Sequence, residues 1–93
     1  MFTIPRVNVI ESSDGYSVEV LGRVGLLYTE GPRSTKVDSE VSLGPSGMVI
    51  YRGSFHRWNP PYENEPFDQS KREAIVENIR SAFRFQGFEI QVF

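Results

Sequence analysis

Ninety-three residues at 10.6 kDa support one domain with a single modest core, too little chain for two lobes with a deep cleft between them. Ten Lys and Arg against twelve Asp and Glu leave a net charge of −2, which argues against a general nucleic-acid binder, since such proteins carry a basic stripe. A hydrophobic content of 39% excludes a disordered chain, and the absence of cysteine excludes disulfides, thiolate nucleophiles and thiolate metal sites, in keeping with a reducing, cytoplasmic setting.

No basic stretch followed by a long apolar run opens the chain, and no apolar run approaches the length of a bilayer, so neither a signal peptide nor membrane contact is expected. Val7, Val9 and Ile10 form a short β-rich run that stops at Ser12-Ser13-Asp14-Gly15, where Asp-Gly supplies the chemistry of a hairpin turn. Tyr16 to Leu21 alternates, with Tyr16, Val18 and Val20 on one side and Ser17 and Glu19 on the other. A turn over Gly22 to Gly25, a strand over Leu26 to Glu30 and a reversal at Gly31-Pro32-Arg33-Ser34 follow. Thr35 to Leu43 has the cleanest period of two: Val37, Val41 and Leu43 share one face, while Lys36, Asp38, Glu40 and Ser42 share a face that meets water. Beyond Gly44-Pro45-Ser46-Gly47, the unbroken apolar run Met48-Val49-Ile50-Tyr51 predicts a strand covered on both faces, near the sheet centre.

From Gly53 to Phe67 the pattern breaks, because Pro60, Pro61 and Pro66 lack donors and fix φ, so an irregular crossover is expected, shortened at most by a brief strand at Phe55 to Trp58. A helix comes next. Asp68 or Ser70 can cap it, Ser70 and Glu73 have capping-box spacing, and Ile75, Val76, Ile79, Ala82 and Phe83 fall on one stripe that should lie on the sheet. Gly87 is a natural left-handed terminator, after which Phe88 to Phe93 alternates as a last strand. The chain thus reads as one α+β domain over residues 1–93: a mostly antiparallel sheet of about five to six strands, one C-terminal helix on one face and a final return strand.

Little in the chain suits catalysis. With one histidine and no cysteine, a zinc site is not expected, and Glu63, Glu65 and Asp68 lack the glycine and ligand spacing of a calcium loop, so no metal and no cofactor is assigned. Ser54 and His56 with nearby acids allow a small hydrolase to be drawn, but Ser54 has no nucleophile-elbow context, and a partly exposed, hydrogen-bonded His56 is the simpler reading.

The feature left over is Trp58-Asn59-Pro60-Pro61-Tyr62-Glu63-Asn64-Glu65-Pro66-Phe67-Asp68, which mixes aromatics, prolines and acids and carries no Lys, Arg or His. Proline lowers the entropy lost on docking, Trp and Tyr supply contact area, and a local charge of −3 from Glu63, Glu65 and Asp68 would draw a basic partner. The candidate contact residues are therefore Trp58, Pro60, Pro61, Tyr62, Glu63, Glu65 and Asp68. In the competing reading Trp58 and Phe67 cover the open end of the core while the prolines stiffen a strand-to-helix crossover.

Trp58-Asn59-Pro60-Pro61-Tyr62-Glu63-Asn64-Glu65-Pro66, the Lys71 to Arg84 helix and the Gly87-Phe88-Glu89-Ile90 return together resemble the immunity protein 74 family of bacterial polymorphic toxin systems. The similarity covers about residues 48–93, with the earlier strands alike in pattern only. The resemblance implies an α+β domain encoded beside a toxin that it neutralises, without enzymatic activity of its own. It also implies a Trp-Glu-Pro-Pro motif, of which Trp58, Pro60 and Pro61 match and Asn59 departs. The partner expected is then a cognate toxin domain, and a basic, nuclease-like toxin would meet the charge of Glu63, Glu65 and Asp68. The alternative is a homo-oligomeric module, a homodimer at its simplest, that pairs through an exposed sheet edge.

Overall fold

The structure, a computed structural model, describes residues 1–22, 24–41 and 47–93. Arg23, Ser42, Leu43 and the Gly44-Pro45-Ser46 part of the expected turn lie outside the described residues. The strands are β1 (Phe2–Arg6), β2 (Val9–Ser12), β3 (Tyr16–Val20), β4 (Val24–Glu30), β5 (Arg33–Val41), β6 (Met48–Ile50) and β7 (Gln91–Val92), and the helix is α1 (Gln69–Phe85). They form a seven-stranded sheet in the order β1-β2-β3-β4-β5-β6-β7. Every neighbouring pair is antiparallel except β6 and β7, which run parallel because α1 carries the chain back across the sheet before β7 joins.

Register decides which residues meet the helix. Ile10 stands opposite Val18, Val18 opposite Tyr28 and Tyr28 opposite Thr35, while Leu26 pairs with Val37 and Val20, and Ser39 with Ile50. These rows face the helix, and the core gathers their apolar members with Ile75, Val76, Ile79, Ala82 and Phe83 of α1. Each large side chain so buried contributes roughly 1.5–3 kcal/mol of transfer free energy. The alternate rows, with Glu11, Glu19, Lys36, Asp38 and Glu40, take the opposite face, as the period of two demands.

The register slips once between β4 and β5, where Asp38 and Ser39 together stand opposite Gly25. Gly25 has φ +94°, and a Cβ there would come within 3.0 Å of Lys36 Cε, so a side chain at this position would be strained and crowded. Its N–H donates to Ser39 Oγ at 2.9 Å. The bulged Asp38 backbone is satisfied too: its N–H donates to Ser54 Oγ at 2.9 Å, and its carbonyl accepts from Tyr51 N–H at 3.1 Å.

Helix boundaries follow cap chemistry. Asp68 is the N-cap, its Oδ1 accepting from Lys71 N–H at 2.9 Å, so Ser70 lies in the first turn and Glu73 reaches Arg52 at 3.4 Å instead of closing a capping box. At the far end Gly87 N–H donates to Arg84 O and Phe88 N–H to Phe83 O, both at 2.9 Å, with Gly87 at φ +89°. That pair of bonds is the Schellman arrangement and explains why the helix stops there.

Three expectations change. A first strand, Phe2–Arg6, precedes the anticipated run, and Val7 is an exposed turn residue rather than a strand residue, because Asn8 at φ +68° reverses the chain. β6 is the penultimate strand rather than a central one, and Val49 is only half-buried beside Glu40 and Gln91. Phe55 to Trp58 forms no strand; a short 3-10 turn over Arg52–Ser54 takes the chain off the sheet instead. No helix among the described residues is long and apolar enough to cross a membrane.

Candidate functional site

The crossover from residue 55 to residue 68 runs across one end of the sheet and is fastened at both ends. Phe55 and Trp58 are core residues, and Trp58 is only 3% exposed. Its indole stacks on Tyr28 with centroids 6.4 Å apart and meets Phe67 edge-on at 5.2 Å, while Phe67 meets Phe55 edge-on at 6.1 Å. The Lys71 ammonium lies 5.5 Å from the indole centroid. Trp58 is therefore an internal anchor, as is most of Phe67, and the outward indole that a docking role would need is not presented.

Between the anchors the backbone is tied to β5. Asn59 N–H donates to Ser34 O at 2.7 Å, Asn59 Nδ2 to Ser34 Oγ at 3.1 Å and Thr35 Oγ1 to Arg57 O at 2.9 Å. Pro60 and Pro61, joined by a cis peptide, form the exposed tip of a turn that Tyr62 N–H closes onto Asn59 O at 3.0 Å. Glu65 N–H then donates to Tyr62 O at 3.1 Å, making a second turn directly after the first.

The acids are placed differently from one another. Glu65 receives both Arg33 Nε, at 2.6 Å, and Arg33 Nη2, at 3.0 Å, and the same guanidinium lies 4.8 Å from the centroid of the half-buried Tyr62 ring. Asp68 is taken up by the helix cap. Glu63 is half-buried, with Oε2 enclosed and without a hydrogen-bond partner among the described residues. The charge of −3 read along the segment is thus reduced in three dimensions by Arg33, which β5 brings in from far along the chain.

Beneath the loop, a polar chain links β4 to α1 and carried no signal in the sequence beyond the residue types themselves. Tyr28 OH donates to Glu30 Oε1 at 2.7 Å and accepts from Asn78 Nδ2 at 2.9 Å, and Lys71 Nζ donates to Glu30 Oε2. Burial, reinforced by Glu30, pushes the Tyr28 phenol well above its ordinary value. Burial also works to raise Glu30, but the hydrogen bonds from Lys71 and Tyr28 outweigh it and hold the carboxyl below the usual value. Lys71 thereby neutralises Glu30 and covers Trp58 at once, which ties the loop to the helix start.

Ser54 and His56 do not assemble a nucleophile and base. The Ser54 hydroxyl donates to Tyr51 O at 2.6 Å while accepting from Asp38 N–H, whereas His56 Nδ1 stands 3.5 Å from Arg72 Nη1. Among the described residues no group of three or more His, Asp or Glu is arranged to hold a metal ion.

An aromatic-anchored diproline turn, a capped helix and a parallel return strand thus sit on one continuous sheet. A sequence model of the family described as immunity protein 74 matches residues 18–92, from the middle of β3 to the last residue of β7. The chain belongs to the immunity protein 74 family. Compared with curated proteins and with solved structures, it finds no match in either. The family match reaches well to the N-terminal side of the segment that carries the resemblance in the sequence and takes in β4 and β5, the strands that supply Tyr28, Glu30 and Arg33 to the loop.

Proposed function

We propose that this chain is an immunity protein that binds a cognate toxin domain and neutralises it by occlusion, with the diproline loop as its contact surface. Membership of the immunity protein 74 family is the observation that carries the reading, since an immunity protein implies a toxin as partner. The loop is favoured as the contact because it is exposed at Pro60 and Pro61 yet fixed from below by Trp58, Phe67 and the Ser34 bonds. A surface ordered before the partner arrives loses little conformational entropy on binding.

Within that surface the residues divide by task. Pro60, Pro61, the outer edge of Tyr62 and Glu63 meet the toxin. Trp58 acts from inside, Glu65 orients the loop through Arg33, and Asp68 serves the helix. With Glu65 paired, Glu63 is the carboxylate left to steer a basic, nuclease-like toxin, so recognition rests more on the shape of the diproline tip than on charge.

The test is co-expression with the toxin encoded beside this chain, read as rescue of growth and as a stoichiometric complex. A Pro60→Arg variant changes one exposed side chain and should keep its thermal stability while losing the complex. Undiminished binding and protection by that variant would remove the loop from the mechanism. Failure of the parent chain to bind or protect would remove the toxin reading itself.

A further inference from the structure

β1 is an open edge of the sheet, bonded on one side to β2 and, among the described residues, on the other to nothing. Ser13 N–H donates to Met1 O at 2.9 Å, and Phe2 and Thr3 stand opposite Ser12 and Glu11. In an antiparallel ladder hydrogen-bonded pairs alternate with unbonded ones, so with Met1 bonded to Ser13 the pair Phe2 and Ser12 is unbonded. The Phe2 N–H and C=O therefore point away from β2, and the Ile4 N–H, two residues on, points the same way. The register then slips, setting Ile4 and Pro5 together against Ile10. A proline commonly blunts a free edge, but Pro5 lies just beyond the stretch that carries the free groups.

The side chains around this edge are apolar and uncovered. Ile4 is 51% exposed and Phe85 is 49% exposed, with the Phe85 ring 5.3 Å from that of Phe2. A shallow groove of about 220 Å³ continues from Ile4 between Val20, Phe83 and Phe88. No side chain from Met1 to Pro5 is charged, and the Met1 ammonium donates to Ser13 Oγ at 3.0 Å. The opposite edge offers less, because β7 is two residues long.

We propose that two copies of this chain join edge to edge through β1, antiparallel about a two-fold axis at Thr3, with Phe2 of each copy opposite Ile4 of the other. What chooses a second copy over an unrelated strand is that the edge complements itself. In this register the free backbone groups of Phe2 meet those of Ile4 twice, both pairs are apolar on the helix face, and Thr3 meets Thr3 on the other face, a favourable cross-strand pair. Arg6 falls outside the paired stretch, so no like charges oppose. The two Phe85 rings continue the apolar strip over the junction, and the interface is isologous, the form that closes as a dimer rather than growing into a fibre. This pairing stands apart from the toxin reading, since β1 and β2 lie outside the residues of the family match.

The chain has no cysteine, so Thr3→Cys would carry its only thiol. The two Thr3 positions form an unbonded pair with Cα atoms about 4.5 Å apart, within the range a disulfide spans. Light scattering on the unmodified chain should give twice the mass of one chain toward millimolar concentration. Thr3→Cys should become a covalent dimer under mild oxidation at least about tenfold faster than Glu77→Cys on the exposed side of α1. Ile4→Lys, with its folding checked by circular dichroism, should weaken self-association by at least about tenfold, because lysine at an edge opposes pairing. A monomer at every concentration overturns the proposal, and so does a dimer in which Thr3→Cys cross-links no faster than Glu77→Cys.

Discussion

β1 and the 55–68 crossover invert the usual association of regular structure with firmness. β1 is a regular strand of five residues, but four of the five are exposed and, among the described residues, its backbone is bonded along one side only. The crossover has no repeating structure, yet it places Phe55 and Trp58 in the core, ties its backbone to β5 at Ser34 and Thr35, and receives Arg33 and Lys71 from the sheet and helix. Local order here is set by how many independent anchors a segment has, not by whether its dihedrals repeat. For recognition the difference matters, because the irregular segment is already in its final shape, whereas the regular one offers unsatisfied backbone groups.

The sharpest way to break this contrast is to remove the anchor. Trp58→Ala deletes a buried indole touched by Tyr28, Phe67 and Lys71, and the expected loss is about 3–5 kcal/mol in chemical denaturation followed by circular dichroism. Set against roughly 5–15 kcal/mol for a whole domain, that is enough to leave the variant partly unfolded near physiological temperature. A loss below about 1 kcal/mol would mean that the loop is held by its backbone bonds rather than by the indole.

The next effect is the ionic tie under the loop. Glu30 has a folded value held below its ordinary 4.5, so its contribution to stability is present above 4.5 and disappears as the pH falls through the folded value. Glu30 and Lys71 are each about one-third exposed, so solvent screening limits the expected cost of Lys71→Met to about 1 kcal/mol at neutral pH. Unfolding midpoints between pH 3 and pH 6 check the sign: the parent chain should lose stability on acidification more steeply than Lys71→Met. Parallel curves would show that the pair contributes nothing beyond packing. Weaker again is Arg33→Gln, which breaks a half-exposed bidentate pair screened by solvent and should cost less global stability than Lys71→Met. Its larger mark should be faster proteolysis between Tyr62 and Pro66, read by mass spectrometry of the fragments.

How far these arrangements could be read from the chain depends on the distance over which they act. The helix was legible almost completely, because Asp68, the Ile75-to-Phe83 stripe and Gly87 each work within a few residues of where they stand. The alternation of β3 and β5 was legible for the same reason. β1 was not: Phe2-Thr3-Ile4-Pro5-Arg6 contains a proline and a bulge, and the apolar Val7 drew the strand onto what is a turn made by left-handed Asn8. The alternating Phe88 to Phe93 pairs only at Gln91–Val92, because its partner β6 is three residues long. In the candidate site, Pro60 and Pro61 could be placed on a turn from their own chemistry, but the charge around Glu65 could not, since Arg33 reaches it through the register of β4 and β5.

The effect that changes stability least discriminates best between the two segments. Hydrogen exchange measures local opening, and an amide exchanges slowly only when its acceptor and its surroundings hold it. Asn59 N–H sits in irregular chain but bonds Ser34 O at 2.7 Å beside the buried Trp58, so it should exchange near the rate of global unfolding. Ile4 N–H belongs to a strand but faces away from β2, so in dilute solution it should exchange as fast as an exposed loop amide. Raising the protein concentration should then slow Ile4 and leave Asn59 unchanged, because only the edge gains a partner on self-association. If Asn59 exchanges as quickly as Ile4 in dilute solution, the crossover is not the fixed element its bonds imply. If concentration slows neither, the free groups of β1 stay with water.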